Sequence, residues 1–197
     1  VAFLAKSSQA RGLLVGAEFP EHAAACAKYL DFTISIGDSD FAPDYDDMVA
    51  GYLGDSRPAA DVERDDPCWF FFTSGTTGRP KAAVLTHGQM GFVVTNHLCD
   101  LMPGTGADWG NRDASLVVAP LSHGAGIHQL TQVAHGVPSI LPNSAKLDPA
   151  EVWSLVERYG VTNMFTVPTI VKLLVEHPAV DQHDHSSLRY VIYAGAP

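Results

Sequence analysis

Phe70-Phe71-Phe72-Thr73-Ser74-Gly75-Thr76-Thr77-Gly78-Arg79-Pro80-Lys81, running on into Ala82-Ala83-Val84-Leu85-Thr86-His87, is the stretch that decides how this sequence folds. An apolar run (68–73, CWFFFT) stops at a cluster of four hydroxyl side chains and two glycines, and a second apolar run (81–86, KAAVLT) follows. Both flanks read as strands. Glycine lets the backbone bend so that successive N–H groups face one anion, and Ser and Thr hydroxyls add donors that rotate to suit oxygen positions. Lys81 supplies a full positive charge at the far end. This is the chemistry of a phosphate-binding loop, with Thr73, Ser74, Gly75, Thr76, Thr77, Gly78 and Lys81 as candidate ligands. A Ser/Gly hairpin with no ligand is the plain alternative, but such turns rarely gather this set of groups.

The loop differs from that of the common NTPases, which needs four residues between its glycines and then Gly-Lys-Ser/Thr. Here Gly75 and Gly78 are two residues apart, Pro80 precedes Lys81 and Ala82 follows it. Pro80 also prevents a helix from running straight through.

Outward from the loop, strand-like and helix-like segments alternate. Residues 11–16 and 32–36 read as strands, and 21–30 as an Ala-rich helix behind Pro20. Residues 45–53 form a short helix, and 54–67 a polar surface connection. Beyond the loop come helix 88–101, a Gly-rich loop at 103–113, strand 115–119, helix 126–134 and strand 137–141. Helix 149–159 has Asp148 as its N-cap and Gly160 just past its end. Strand 162–167, helix 168–176 and strand 190–193 complete the pattern. Such alternation predicts an α/β layered domain with mostly parallel strands and flanking helices, which binds ligands at the carboxyl ends of its strands.

At this point the stretch FTSGTTGRPKAAVLTH resembles the signature loop of the adenylate-forming superfamily: acyl-CoA synthetases, aryl-CoA ligases, firefly-type luciferases and peptide-synthetase adenylation domains. The family pattern reads Tyr/Phe-Thr-Ser-Gly-Thr-Thr-Gly-x-Pro-Lys-Gly, then Thr/Ser-His. Here Ala82 replaces the last Gly, and Gly88-Gln89 stands where Arg-Asn or similar often follows the His. Ala119-Pro120-Leu121-Ser122-His123-Gly124-Ala125-Gly126 resembles the family's Pro-Leu-x-His segment. Tyr193-Ala194-Gly195-Ala196-Pro197 resembles its Gly-Gly-Ala-Pro segment, with Ala194 for the first Gly. The resemblance covers essentially the whole chain.

The resemblance implies a two-step reaction: a carboxylate attacks the α-phosphate of ATP to give an acyl-adenylate and pyrophosphate, then a thiol, usually coenzyme A, takes the acyl group. It implies ATP, Mg²⁺, coenzyme A and a fatty or aryl acid as partners. It assigns catalytic roles to Lys81 and to His123, the latter as a positioning group or acyl gate. Gly195, Ala196 and Pro197 would bind the adenine, and His123, Gly124 and Gly126 would line the acid site. Residues 1–197 would then be part of the N-terminal AMP-binding domain. The small C-terminal domain, the Mg²⁺-binding Thr-Glu segment and the ribose-binding Asp would lie after Pro197, so these residues alone are expected to bind nucleotide weakly and turn over negligibly. An amino-acid adenylating enzyme, a luciferase-like enzyme and a non-catalytic nucleotide-binding α/β module are the alternatives. The first would carry an acidic residue shortly after the middle motif, and 124–130 has none, which favours a coenzyme A ligase.

The remaining features fit that reading. The chain of 197 residues is 46% apolar and 17% charged, with a net charge of −10, a balance that builds a core and repels a nucleic-acid backbone. Cys26, Cys68 and Cys99 form no CxxC pair, so neither a disulfide framework nor a zinc site is expected, and a cytoplasmic setting fits. No run approaches the roughly 20 apolar residues of a membrane helix. His177, Asp181, His183, Asp184 and His185 read as a solvated loop rather than metal ligands, and no metal-ligating residue is assigned. Asp61, Glu63, Asp65 and Asp66 read as solvated surface, and His87 as structural. Trp69, Phe70, Phe71 and Phe72 are expected in the core beneath the loop. A homodimer is compatible with all of this.

Overall fold

The computed structural model describes residues 1–73, 80–101, 113–144 and 146–194. Its internal contacts divide the chain into two units, Val1–Val62 with Trp69–Val84, and Glu63–Cys68 with the chain from Leu85 onward.

The first unit begins with α1 (Ala2–Ser7), β1 (Gly12–Gly16), α2 (Pro20–Cys26), β2 (Phe32–Ile36) and α3 (Tyr45–Ala50). Pro20 takes the first helical position of α2, where its missing N–H costs nothing. β1 and β2 pair in parallel, Gly12 opposite Phe32 through Gly16 opposite Ile36. Asp44 caps α3, its Oδ1 accepting from the amides of Asp46 at 2.9 Å and Asp47 at 3.2 Å.

β3 (Pro67–Thr73) and β4 (Lys81–Thr86) form a separate two-stranded sheet. Their aromatic residues correct the expectation of a core. Phe70 is 37% exposed, and Trp69, Phe71 and Phe72 are only half-buried. Trp69 stacks on Phe71, with ring centroids 5.0 Å apart. Two strands on their own have no second layer with which to enclose a side chain.

The second unit holds α4 (His87–Asn96), which continues as a π-type turn over His97–Leu101, then β5 (Ser115–Val117), α5 (Gly124–Ala134), β6 (Ser139–Ile140), α6 (Pro149–Tyr159), β7 (Asn163–Thr166), α7 (Pro168–Glu176) and β8 (Tyr190–Tyr193). Its sheet has the order β6-β5-β7-β8, and all three pairings are parallel. The layered α/β architecture is thus the one read from sequence. β6 is shorter than the expected 137–141 because Pro138 and Pro142 flank it, and proline cannot donate to a ladder.

Residues alternate across the two central strands. Leu116 and Met164 face a hydrophobic cluster with Val152, Trp153 and Val156 of α6, tied by the indole N–H of Trp153 donating to the Leu174 carbonyl at 3.0 Å. Ser115, Asn163 and Phe165 face the opposite way, toward α5. The ends of α6 follow the sequence: Asp148 Oδ1 accepts from the Ala150 amide at 2.9 Å, and Gly160 terminates the helix at φ +58°.

Candidate active site

Three loops meet at the carboxyl ends of β5, β7 and β8. A cavity of about 430 Å³ is lined there by Ala119, Pro120, His123, Gly124, Ala125, Phe165, Val167 and Ala194. The middle motif supplies the first five, and Ala194 begins the last one. After Val117 the chain turns at Pro120, whose carbonyl accepts from the His123 amide at 3.3 Å. His123 is the N-cap of α5 without a side-chain capping bond and is exposed. Its carbonyl accepts from Gly126 at 2.9 Å, which starts the helix. The amide of Ala194 reaches the Thr166 carbonyl at 3.3 Å, so the β7–β8 ladder runs on into the cavity wall.

Of the residues expected at the acid site, His123 and Gly124 line the cavity, whereas Gly126 is buried in α5 and is not among the lining residues. Phe165 and Val167 escaped the sequence reading. Inside a strand they look like any core residue, and only the fold shows which strand end they close. The amino terminus of α5, two of whose first residues line this cavity, carries partial positive charge and favours an anion.

The phosphate-loop candidates lie in the other unit. Thr73 ends β3 and Lys81 begins β4, both exposed. Ser74, Gly75, Thr76, Thr77 and Gly78 lie outside the described residues, as do Gly195, Ala196 and Pro197. Past β4, Thr86 and Gln89 form a reciprocal capping box that opens α4, with bonds of 2.9 and 3.3 Å, and the Gly88 amide donates to the Arg64 carbonyl at 2.7 Å. His87 starts this helix, its amide bonded to the Asp66 carbonyl.

Behind the cavity lies a polar layer that sequence did not reveal. On the buried face of α5, His128 Nε2 lies 3.0 Å from Asn163 Oδ1 and 3.1 Å from Gln132 Nε2. Gln129 donates to Ser115 Oγ at 3.1 Å and accepts from Ser139 Oγ at 2.7 Å. The His128 ring sits 5.9 Å from Phe165 and 6.4 Å from His97, centroid to centroid. Burial pushes the His128 pKa below its ordinary value, against the upward pull of its bond to Asn163, with His97 adding a smaller downward push.

Among the described residues no group of three or more His, Cys, Asp or Glu side chains is placed to hold a metal. Among the described residues no helix is long and apolar enough to cross a membrane.

The signature loop, the layered parallel sheet and the strand-end cavity together are those of an adenylate-forming enzyme. The chain belongs to the AMP-binding enzyme family, which matches residues 1–197. It is similar to a feruloyl-CoA synthase of an Amycolatopsis species, 39% identical over 145 residues, covering 73% of this chain and 28% of that protein. It is also similar to 4-coumarate–CoA ligase 2 of Oryza sativa subsp. japonica, 30% identical over 168 residues, covering 83% and 29%. Medium/long-chain-fatty-acid–CoA ligase FadD8 of Mycobacterium tuberculosis is 31% identical over 156 residues, covering 79% and 26%. The chain thus spans under a third of the length of these relatives. Among solved structures, the inhibitor-bound N-terminal domain of FACL13 from M. tuberculosis superposes with a TM-score of 0.77 at 24% identity, covering 100% of this chain and 47% of that one. That likeness speaks to the fold.

Proposed function

We propose that this chain is the AMP-binding part of a larger ligase that converts a carboxylic acid to an acyl-adenylate with ATP and then to a thioester with coenzyme A. The observation that carries the reading is that His123 and Gly124, from the middle motif, and Ala194, from the last, line one cavity at the strand ends. The family match and the CoA ligases among the relatives support the same reaction.

In the first step a carboxylate oxygen forms a bond to the α-phosphorus while the bond to the β-phosphate oxygen breaks, and the electron pair leaves with pyrophosphate. The barrier is one of charge, so preorganised donors on the leaving group lower it. The amides and hydroxyls from Thr73 to Gly78, with the Lys81 ammonium, take that role. His123 and the start of α5 hold the carboxylate, and a well-oriented reactant removes much of the entropic barrier. In the second step the thiol sulfur attacks the acyl carbon and AMP departs. Gly195, Ala196 and Pro197 hold the adenine, and the thioester step draws on the small domain of the complete enzyme. The three free cysteines support a reducing, cytoplasmic setting.

The test is ATP–pyrophosphate exchange by the full-length protein across a panel of acids, together with calorimetric titration of ATP–Mg²⁺ into the wild type and Lys81→Ala. Acid-dependent exchange that falls about a hundredfold in the variant is expected. ATP binding without any acid-dependent exchange would leave a nucleotide-binding module instead.

A further inference from the structure

The first turn of α4 spends its amides on the chain that precedes β3. His87 donates to the Asp66 carbonyl at 3.0 Å and Gly88 to the Arg64 carbonyl at 2.7 Å, while Gln89 donates to Thr86 Oγ1 at 3.3 Å. A helix start leaves such donors open, and here two of them grip residues 63–66. That segment is itself a closed turn. Asp66 Oδ2 accepts from the Glu63 amide at 2.9 Å, and the Asp66 amide reaches the Glu63 carbonyl at 3.1 Å. Asp66 belongs to the run read from sequence as solvated surface; it is exposed, yet its carboxylate has this backbone partner. Gly88 is required by the close approach: a Cβ there would lie 3.0 Å from the Arg64 carbonyl oxygen and 3.3 Å from Arg64 Cβ, so only glycine lets the two segments meet. A glycine thus stands where the family pattern often has arginine.

Asp66 immediately precedes β3, and His87 immediately follows β4. The connection between those strands, 74–80, is too short for the crossover of about a dozen residues that parallel strands need, so the pair is an antiparallel hairpin. The bond between Asp66 and His87 therefore holds its two open ends opposite each other. Both sides of that bond, Glu63–Cys68 and the chain from Leu85 onward, belong to the unit that carries the strand-end cavity. From this, and resting on the ligase reading above, we infer that the turn 63–66 and Gly88 form a clasp that positions Lys81, with Asp66 and Gly88 as positioning residues for the step at ATP. Two strands alone are marginal, and no second layer fixes their register. Side chains alternate along a strand, so a slip of one residue would carry the Lys81 ammonium to the other face of the hairpin. The clasp prevents that slip from the end where the strands meet α4.

ATP–pyrophosphate exchange and ATP–Mg²⁺ calorimetry on the full-length protein test this, with Gly88→Ala, Asp66→Ala and Asp66→Asn each made in the wild type and in Lys81→Ala. Gly88→Ala and Asp66→Ala should lower kcat/KM for ATP about tenfold, as misplaced groups do, while the KM for the acid holds. Asp66→Asn keeps an oxygen that accepts from the Glu63 amide and should stay near wild type. In the Lys81→Ala background the same substitutions should change the rate less than about twofold, because the group they position is gone. A tenfold loss that persists in that background, or that raises the acid KM equally, overturns the inference, as does Asp66→Ala that behaves like wild type. Should Gly88→Ala not fold, by its thermal transition, the contrast between Asp66→Ala and Asp66→Asn decides. A wild type without acid-dependent exchange overturns the ligase reading, and the calorimetry then decides the clasp alone: an ATP affinity that drops in Asp66→Ala only while Lys81 is present upholds it, and an unchanged one overturns it.

Discussion

His128 on α5 and Asn163 on β7 meet at 3.0 Å, Nε2 to Oδ1, with neither side chain accessible to solvent. Nδ1 of the same ring is buried without a hydrogen-bond partner. An imidazole enclosed in this way is held neutral, because the charged form would lose its water.

The folded pKa of His128 is lowered by burial, so below its ordinary value near 6.5 the unfolded chain binds a proton that the folded chain refuses. Stability then falls as pH drops through that value, by up to about 1.4 kcal/mol per pH unit, until the folded pKa is reached. Urea midpoints between pH 8 and 5 should decline more steeply for the wild type than for His128→Gln, which has no group to titrate there. Parallel declines would mean that His128 takes up its proton without unfolding.

How much of this was legible in the sequence depends on the range of the interaction involved. Pro20, Asp148 and Gly160 announced helix ends because capping is settled within one turn of chain. The three motifs announced the AMP-binding family, which matches residues 1–197, because each motif is a contiguous run of residues. The inner face of α5 was hidden: His128, Gln129, Thr131 and Gln132 are polar yet buried, and hydropathy sends such residues to solvent. His128, Gln129 and Gln132 pair with Ser115, Ser139 and Asn163, which come from three different strands. Phe165 was hidden for the same reason, since its neighbour Gly124 lies far off in sequence. The opposite error affected Trp69 to Phe72, where apolar content suggested a core that a two-stranded sheet cannot provide.

Arg189, just before β8, pairs with Asp113, just before β5. The Asp113 side chain is 3% exposed and that of Arg189 33%, and Asp113 Oδ2 has no further partner. Arg189→Ala would strand a buried carboxylate, a loss of roughly 3–5 kcal/mol for a fully enclosed pair and nearer the lower figure here because the arginine is partly wet. The double variant Arg189→Met with Asp113→Leu should recover most of that in urea denaturation. If the single and double variants lose equally, the pair is not what holds the two strand ends.

The ends of α6 should each contribute measurably. Asp148→Ala removes the acceptor for the Ala150 amide and should cost about 1 kcal/mol. Gly160→Ala forces a side chain into φ +58° and should cost roughly 1–2 kcal/mol. With caps at opposite ends and no shared partner, the two losses should add. Clear non-additivity in the double variant's thermal midpoint would show that α6 frays as one unit.

Glu151 on α6 binds the loop that follows β6: Oε1 accepts from the Asn143 amide at 2.7 Å and Oε2 from the Ser144 amide at 3.2 Å. Hydrogen bonds from Ser144 and Asn143 hold its carboxyl below the ordinary glutamate range. The sign follows from the lowered value: the ionised form is the one that grips the loop, so the grip is complete above the ordinary pKa near 4.5 and is lost as pH falls through the folded value. Glu151→Gln keeps one acceptor and loses the charge, and should speed amide exchange at Asn143 and Ser144 several-fold while leaving the Val152 and Val156 amides of α6 protected. The Asn143 and Ser144 amides should also lose protection in the wild type on acidification. Exchange at Asn143 and Ser144 that is equal in wild type and variant would show that the carboxylate does not hold the loop in solution, and that the turn after β6 is shaped by Pro142 alone.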